Sequence, residues 1–132
     1  MTIQPLMLIM VPLLAPRSCL NNPGKVYVYL IYGMHHCLNI VAHEDGLAGA
    51  VLIRGIRFPN RSVDGPGRVC KQLEITRNHN NLDATQSMLF YITDGQRPVN
   101  TTQSPRVGIS KAIDRLWRFQ CTLEFRNNKN SY

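Results

Sequence analysis

Runs of apolar residues divide the first half of the chain into strands. Residues 25–31 are mostly β-branched, aromatic or large apolar, Gly33 interrupts the run, and a second apolar run covers residues 37–42. Such side chains favour pleated strands, so the pattern predicts a hairpin, although Tyr-Gly-Met-His is a weak two-residue turn signal. Tyr32 then lies at the tip, where its ring either folds back onto the core, the commoner outcome, or enters a partner. Asn39 is a polar exception in the second strand and needs hydrogen-bond partners if it is buried.

A third strand is predicted over Ala50–Phe58, and it carries an arginine among apolar neighbours. Arg54 requires a partner if it is buried, whereas a rim arginine exposed to solvent fits the same pattern. A helix is predicted over residues 68–74, because apolar residues recur there at helical spacing after a Pro-Gly pair. Arg68 and Lys71 lie three residues apart on this helix, where they either bind phosphates or are ordinary solvated charges.

The rest of the chain alternates loops with short periodic segments. Residues 88–92 and 121–125 are predicted to be strands, and residues 110–118 a helix with one apolar face. Loops are predicted over residues 59–66, 78–87 and 94–104. This order of strands, helix, strand, helix and strand predicts an α+β class, with one domain built on a curved, mainly antiparallel sheet and a few short helices.

Length and charge narrow the choice of partner. The chain has 132 residues, of which 44% are apolar and 17% charged, as in a globular domain with a modest core. The formal charge of +7 is uneven, because residues 1–53 balance to zero whereas residues 54–132 carry 13 basic and 6 acidic side chains, and 13 − 6 = 7. A basic surface favours a polyanion such as nucleic acid, although basic surfaces are common and this signal is weak alone.

Cysteine spacing and the amino-terminal segment argue against a secreted protein. Cys19, Cys37, Cys70 and Cys121 are far apart and include no C-x-x-C pair, so the sequence predicts neither a zinc site nor a disulfide framework. Residues 1–16 are apolar but too short to span a bilayer comfortably, and they lack the positive start of a signal peptide. We therefore expect a cytoplasmic protein with reduced thiols and no membrane partner.

Several separate blocks of the sequence together resemble one enzyme family. In order along the chain they are YVYLIYGMHHCLNIV, AVLIRGI, GPGRVCKQLEIT, PRVGIS and WRF. They resemble the alkyladenine (3-methyladenine) DNA glycosylases, which remove alkylated purines from DNA and have a compact domain with a partly open, barrel-like sheet. The resemblance implies three regions: residues 1–22 outside the family, residues 23–126 as the carboxy-terminal part of the glycosylase domain, and residues 127–132 as a tail.

The resemblance implies how a damaged base would be held. A glycosylase must bring its target base out of the duplex, and in the family a hairpin tyrosine fills the gap that the base leaves. Tyr32 matches this wedge, and Met34 flanks it. Tyr29 matches an aromatic wall of the base pocket, where cationic purines gain cation–π attraction. Asn39 matches the amide that contacts the base and helps to reject ordinary purines.

The resemblance also implies residues at the reacting bond and along the DNA backbone. Arg54 matches an arginine near the sugar-phosphate and the catalytic centre, and Val107 matches a position whose backbone carbonyl holds the attacking water. Arg68 and Lys71 are candidate phosphate contacts. The implied enzyme is monofunctional, uses no cofactor, and acts as a monomer on double-stranded DNA with alkylated or deaminated purines. In a bacterium we expect it to associate with the nucleoid.

The family's general base does not lie among the matching residues. In the family it is a glutamate in a Glu-Ala-Tyr strand ahead of the hairpin, whereas the first carboxylate of this sequence is Glu44. His35 and His36 lie near the tip, and neither is expected to replace the glutamate. Two interpretations stay open: a DNA glycosylase by lineage that is inactive as this chain stands, and a non-catalytic DNA-binding fragment or pseudoenzyme.

Residues 1–22 are expected to be a frame-shifted reading of the family's own sequence. They match no part of the family, are unusually apolar, and stop where the match begins. Read two bases later, their codons can spell DDPASHAYYGPTARTEVMFEQ without a stop, which resembles the family segment before the hairpin. A frame-shifted segment has no evolved partner surface, so we expect residues 1–16 to be loosely ordered or to cover the opened pocket non-specifically.

Overall fold

The computed structural model describes residues 4–11, 22–42, 49–58, 60–93, 100–105, 116 and 118–122. The strands are β1 (Gln4–Val11), β2 (Val26–Ile31), β3 (His35–Val41), β4 (Ala50–Phe58), β5 (Arg61–Asp64), β6 (Asn100–Ser104) and β7 (Arg118–Thr122). The described residues also form one α-helix, α1 (Pro66–Leu73), and one 3-10 helix (Arg77–His79). No helix in these ranges is long and apolar enough to cross a bilayer.

All strand pairs of the sheet are antiparallel. The strand order is β2-β3-β4-β1-β7-β6, with β5 paired to β4 beside this path. Over the described residues, β2 and β6 lie at the two ends of this order, and the sheet does not close on itself. The predicted α+β class with a mainly antiparallel, partly open sheet is confirmed.

One edge of β4 is shared by two partners, and this sharing splits the sheet. β3 pairs only with the beginning of β4, where Asn39 lies opposite Leu52 and Val41 opposite Ala50. The end of β4 pairs instead with β5. On the hairpin-tip side of the Asn39–Leu52 pair, β3 separates from β4. We call this separation of the two strands the fork. Helix α1 follows β5 directly and packs against both β3 and β4, so it fills the fork.

The hydrophobic core lies between the hairpin, β4 and α1. Its buried side chains are Val26, Val28, Leu38, Val51, Ile53, Ile56, Val69, Cys70, Ile75 and Ala84. Burial is the main reason that the pKa of the Cys70 thiol rises to about 12; the neighbouring Cys37 adds to the increase, and a hydrogen bond with the backbone of Leu38 opposes it. Cys70 therefore stays a neutral thiol and joins α1 to β3 within the core.

The outer edge of β2 is covered by the segment that follows the 3-10 helix. The N–H of Val26 donates to the Leu82 carbonyl at 2.7 Å, and the N–H of Asn81 donates to the Val26 carbonyl at 2.8 Å. The side-chain oxygen of Asn80 accepts from the N–H of Val28 at 2.9 Å. Because β3 and this segment bind β2 from both sides, the hairpin has little freedom to shift its register.

The amino-terminal strand differs from the expectation for that region. Gln4–Val11 forms β1, which pairs with β4 on one side and with β7 on the other. The prediction that residues 1–16 are loosely ordered is therefore wrong for this strand. A largely apolar segment can complete backbone pairing inside a sheet whatever its origin, because the pairing groups belong to the main chain.

Two segments predicted as loops contain strands. Within residues 59–66, β5 returns along β4 with Val63 opposite Ile56, and Arg57 Nη1 donates to Ser62 Oγ at 3.2 Å. Within residues 94–104, the last five residues form β6, whose sequence NTTQS is polar and largely exposed. Both strands lack the apolar alternation that identifies a half-buried strand, so composition favoured loops.

Other predicted boundaries also change. The chain bends at residues 88–90 instead of forming a strand, because Ser87 Oγ accepts from the N–H groups of Leu89 and Phe90 at 3.2 and 3.5 Å. The last strand is Arg118–Thr122, three residues ahead of the predicted start. The helix predicted over residues 110–118 lies outside the described residues, apart from Leu116 and Arg118, and Arg118 belongs to β7.

We expect Gly24→Ala to destabilise the fold by about 2–4 kcal/mol, because it combines backbone strain with a clash. Gly24 has φ of 92°, and an added Cβ would lie 2.7 Å from Thr85 Cγ2. Gly33→Ala is the matched control, since its φ is 64° but an added Cβ meets nothing within 4 Å. Urea unfolding measures both variants, and an equal loss of stability in the two would contradict the clash.

Candidate nucleic-acid interface

The tip of the hairpin is a strained turn that carries a large aromatic residue. The N–H of Met34 donates to the Ile31 carbonyl at 3.0 Å, which closes a four-residue turn. Its two central residues, Tyr32 and Gly33, have φ of 51° and 64°. Positive φ at both positions is the requirement of a type I′ turn, and glycine or asparagine normally meets it. A left-handed tyrosine costs about 1–2 kcal/mol relative to a right-handed one.

Tyr32 does not recover this strain by packing, because its side chain is 92% exposed. The predicted position at the tip is confirmed, and the alternative that the ring folds back onto the core is wrong. Met34, two residues further on, is 73% exposed. The hairpin therefore ends in two large apolar side chains that contact mainly solvent, on a backbone that both flanking strands hold in place.

The strand register brings three predicted pocket residues to one face of the sheet. Tyr29 lies opposite Cys37 across the hairpin, and Asn39 lies opposite Leu52 of β4. Since side chains alternate along a strand, Tyr29, Cys37, Asn39, Leu52 and Arg54 share this face. Asn39 belongs to the last pair before the fork, and Arg54 lies just beyond it. The prediction that Tyr29, Asn39 and Arg54 belong together is consistent with this placement.

Asn39 is buried, with 2% of its surface exposed, and the backbone around it meets its need for partners. Its Nδ2 donates to the Tyr27 carbonyl at 3.3 Å and to the Cys37 carbonyl at 3.5 Å. These contacts fix the plane of the amide against the hairpin. An amide fixed in this way can discriminate hydrogen-bonding partners because it does not rotate to suit each one.

Cys37 lies on this face close to both Tyr29 and Arg54, and its position in the sequence does not indicate that it belongs to the site. Burial raises the pKa of the Cys37 thiol, while a hydrogen bond with the Tyr29 side chain and the positive charge of Arg54 act in the opposite direction. Tyr29 and Arg54 are thus both neighbours of one buried sulfur. Tyr27 is a second residue that the sequence did not single out, and its ring lies 5.5 Å from that of Tyr29, tilted by 33°.

A cavity of about 530 Å³ opens between the hairpin tip and the start of α1. The hairpin contributes Ile31, Tyr32, His35 and Cys37, and the β5–α1 segment contributes Asp64, Gly65, Pro66, Gly67 and Arg68. The Gly65 N–H donates to the Arg54 carbonyl at 2.7 Å, which ties this segment to β4. Arg68 therefore shares a recess with the exposed Tyr32.

The second predicted phosphate contact lines a neighbouring recess. Lys71 lies with Met34, His36 and Glu74 around a cavity of about 310 Å³ on the other side of the helix start. The exposed side chains of Arg68 and Lys71 thus flank the hairpin tip from α1. Val107 lies outside the described residues. Within the described ranges, no group of three histidine, cysteine or acidic side chains is arranged to hold a metal ion.

Comparison with known proteins identifies the family of this chain. The family model for methylpurine-DNA glycosylase (MPG) matches residues 16–124. This chain belongs to that family. The match begins ahead of the region in which the sequence blocks were recognised, and it includes every candidate residue of the interface.

Several relatives bear the name "Putative 3-methyladenine DNA glycosylase". A protein of Ehrlichia ruminantium (strain Welgevonden) is 49% identical over 105 residues, which is 75% of this chain and 56% of the relative. A protein of Sodalis glossinidius is 48% identical over 74% of this chain and 59% of its own length. A protein of Wolbachia pipientis wMel is 44% identical over 74% and 56%. The chain spans a little more than half the length of these relatives.

We expect Tyr32→Asn to raise the free energy of unfolding by about 1 kcal/mol, because asparagine tolerates the left-handed backbone and little packing is lost. Tyr32→Phe is the control, since it keeps a bulky side chain at the same φ and should leave stability unchanged. Urea unfolding of the two variants measures the difference. A Tyr32→Asn protein less stable than Tyr32→Phe would mean that the tyrosine ring stabilises the fold.

Proposed function

We propose that this chain binds double-stranded DNA at lesions and inserts Tyr32 into the base stack. The observation that supports the proposal best is the exposed tyrosine on a left-handed backbone. A strained residue that gains no packing is expected where function requires its side chain at that point. A base removed from the stack leaves a gap, and an aromatic wedge fills it with stacking contacts similar to those that were lost.

In this proposal, the face that bears Tyr29, Asn39 and Arg54 receives the flipped purine. Tyr29 supplies an aromatic surface, to which a cationic alkylated purine is attracted more strongly than a neutral one. The fixed amide of Asn39 tests the hydrogen-bonding edge of the base. Arg54 lies close enough to Cys37 for its positive charge to act on the pKa of that thiol. In this proposal it contacts the sugar-phosphate of the flipped nucleotide.

Phosphate contacts would hold the duplex while the base is out. Arg68 and Lys71 are exposed on α1 beside the two recesses of the hairpin tip, where they can reach the backbone on either side of the wedge. Such contacts carry no sequence information, so we expect sequence-independent binding that weakens as salt increases. We propose that the chain acts as a monomer on the DNA of its own cell.

The reaction proposed for the whole family protein is hydrolysis of the N-glycosidic bond. Water attacks C1′ of the nucleotide, the bond to the purine breaks, and the purine leaves with the bonding electrons. This step needs a base to accept the proton of the water. We propose that the backbone carbonyl of Val107 holds the water, and that the chemistry needs no cofactor.

The second candidate function is DNA binding without catalysis. The described carboxylates are those of Asp64, Glu74 and Asp83, and Asp64 is the one that lines the recess beside Tyr32. Asp64 is exposed to solvent, and an exposed carboxylate is poorly placed to take a proton from one particular water molecule. This observation favours a chain that binds damaged DNA and leaves the glycosidic bond intact.

We expect Tyr32→Ala to weaken binding to an abasic or lesion-bearing duplex by roughly 5- to 150-fold, since one aromatic–base stack is worth about 1–3 kcal/mol. Binding to intact duplex should change less, because the wedge has no gap to fill. Fluorescence anisotropy with matched duplexes measures both affinities. Met88→Ala is the control, because Met88 is 94% exposed and lies away from the interface. Equal losses on both duplexes would refute a wedge.

We expect the 132-residue chain to release neither 3-methyladenine nor hypoxanthine from duplex DNA at a rate typical of the family. In this proposal none of the described carboxylates takes the place of the family's glutamate, and loss of a positioned general base typically lowers the rate by about 10²–10⁴-fold. Chromatography of released bases after prolonged incubation measures the rate. Release at a family rate would contradict this prediction, and loss of that activity in Asp64→Asn would identify the carboxylate that replaces the family's glutamate.

A further inference from the structure

Arg61 is an exposed cation that neither the family resemblance nor the site described above accounts for. It opens β5, opposite Phe58, at the last pair of the β4–β5 ladder. Its side chain contacts Gln72 near the end of α1, whereas the hairpin tip lies beside the start of that helix. The proposed wedge and base pocket do not use it.

Two neighbours hold the guanidinium of Arg61 in one position. Its central carbon lies 4.9 Å from the centre of the Phe58 ring, which is a cation–π arrangement. Its Nη1 donates to Gln72 Oε1 at 3.0 Å. A guanidinium has five N–H donors, and this bond uses one of them. Among the described residues, no carboxylate forms an ion pair with Arg61.

Arg61 continues a line of cations along the outer surface of α1. Gln72, which holds Arg61, is adjacent to Lys71 and one helical turn beyond Arg68. A hollow of about 450 Å³ beside the helix is lined by Val63, Arg68, Lys71, Gln72 and Glu74. We call Arg61, Arg68 and Lys71 the basic band. The band begins at the recess that contains Tyr32 and runs away from the wedge to β5.

A row of exposed cations fits a polyanion whose charges repeat along a line. The DNA backbone has this geometry, and one end of the band already lies beside the proposed wedge. An arginine held by a ring and an amide loses little side-chain freedom when a phosphate binds, and its planar fork suits two phosphate oxygens. We propose that Arg61 binds a DNA phosphate at the far end of the basic band, and this proposal rests on the proposed function.

The competing explanation is structural, because the contacts with Phe58 and Gln72 also join β5 to α1. A structural role and a phosphate contact predict different salt dependences. Loss of one phosphate contact lowers the slope of log Kd against log salt by about 0.9, which corresponds to roughly 8-fold weaker binding at 0.1 M salt. Loss of a purely structural contact changes thermal stability and leaves the slope as it was.

The test measures this slope by fluorescence anisotropy, with a lesion-bearing duplex and an intact duplex of random sequence. Arg61→Gln should lower the slope by about 0.9 on both duplexes, because a phosphate contact does not depend on the lesion. Arg61→Lys should keep the slope, because the charge remains, but should bind more weakly than the unaltered chain since lysine lacks the planar fork. Lys25→Gln is the matched control, because Lys25 lies at the opposite end of the hairpin, paired with Asp83 through a β-bridge.

Three results would overturn the proposal. The first is an unchanged slope in Arg61→Gln, and the second is an equal reduction in Lys25→Gln, which would reflect net charge alone. The third is a reduced slope in Arg61→Lys, a protein that keeps the charge, which would mean that the slope does not report the charge at this position. The failure of the proposed function looks different: the unaltered chain then binds DNA without salt dependence, or Tyr32→Ala binds lesion DNA as the unaltered chain does.

Discussion

The fork between β3 and β4 is the constraint on which the interface depends. One edge of β4 cannot pair with β3 and β5 over the same residues, so β3 pairs with β4 only at residues 39–41. Closer to the hairpin tip, β3 separates from β4, and it packs against α1. A continuous sheet would cover this region with a third strand. A recess lined by Cys37 lies here between the hairpin and the start of α1, and Arg54 is close enough to Cys37 to act on its pKa. The candidate pocket thus follows from an interruption of pairing.

The rigidity of the hairpin allows strain to persist at its tip. β2 is paired on one side with β3 and is bound on the other by the segment that includes Asn80 and Leu82. With the register fixed from both sides, the two-residue turn cannot relax into a longer loop. Tyr32 consequently remains left-handed even though its ring gains no burial. Stability gained along the strands thus maintains an unfavourable conformation at one residue.

The sequence was informative wherever side chains alternate between core and solvent. β2 and β4 match their predicted ranges closely, and α1 begins at the proline that marks it, because apolar spacing and turn residues specify these elements locally. β5 and β6 were missed because their polar sequences carry no burial pattern. The meeting of Tyr29, Asn39 and Arg54 could be anticipated from the family resemblance, but Cys37 and Asp64 could not, since register and the β5–α1 connection bring them there. Long-range pairing leaves no periodic trace in a single sequence.

The buried thiols have a consequence for a protein that is proposed to work on alkylated DNA. The electrophiles that damage purines also attack protein sulfur, and the thiolate is the form that reacts. Burial raises the pKa of both Cys37 and Cys70, so each sulfur is protonated as well as shielded. The chemistry that alkylates purines is therefore hindered at both sulfurs of the core that holds the hairpin in shape.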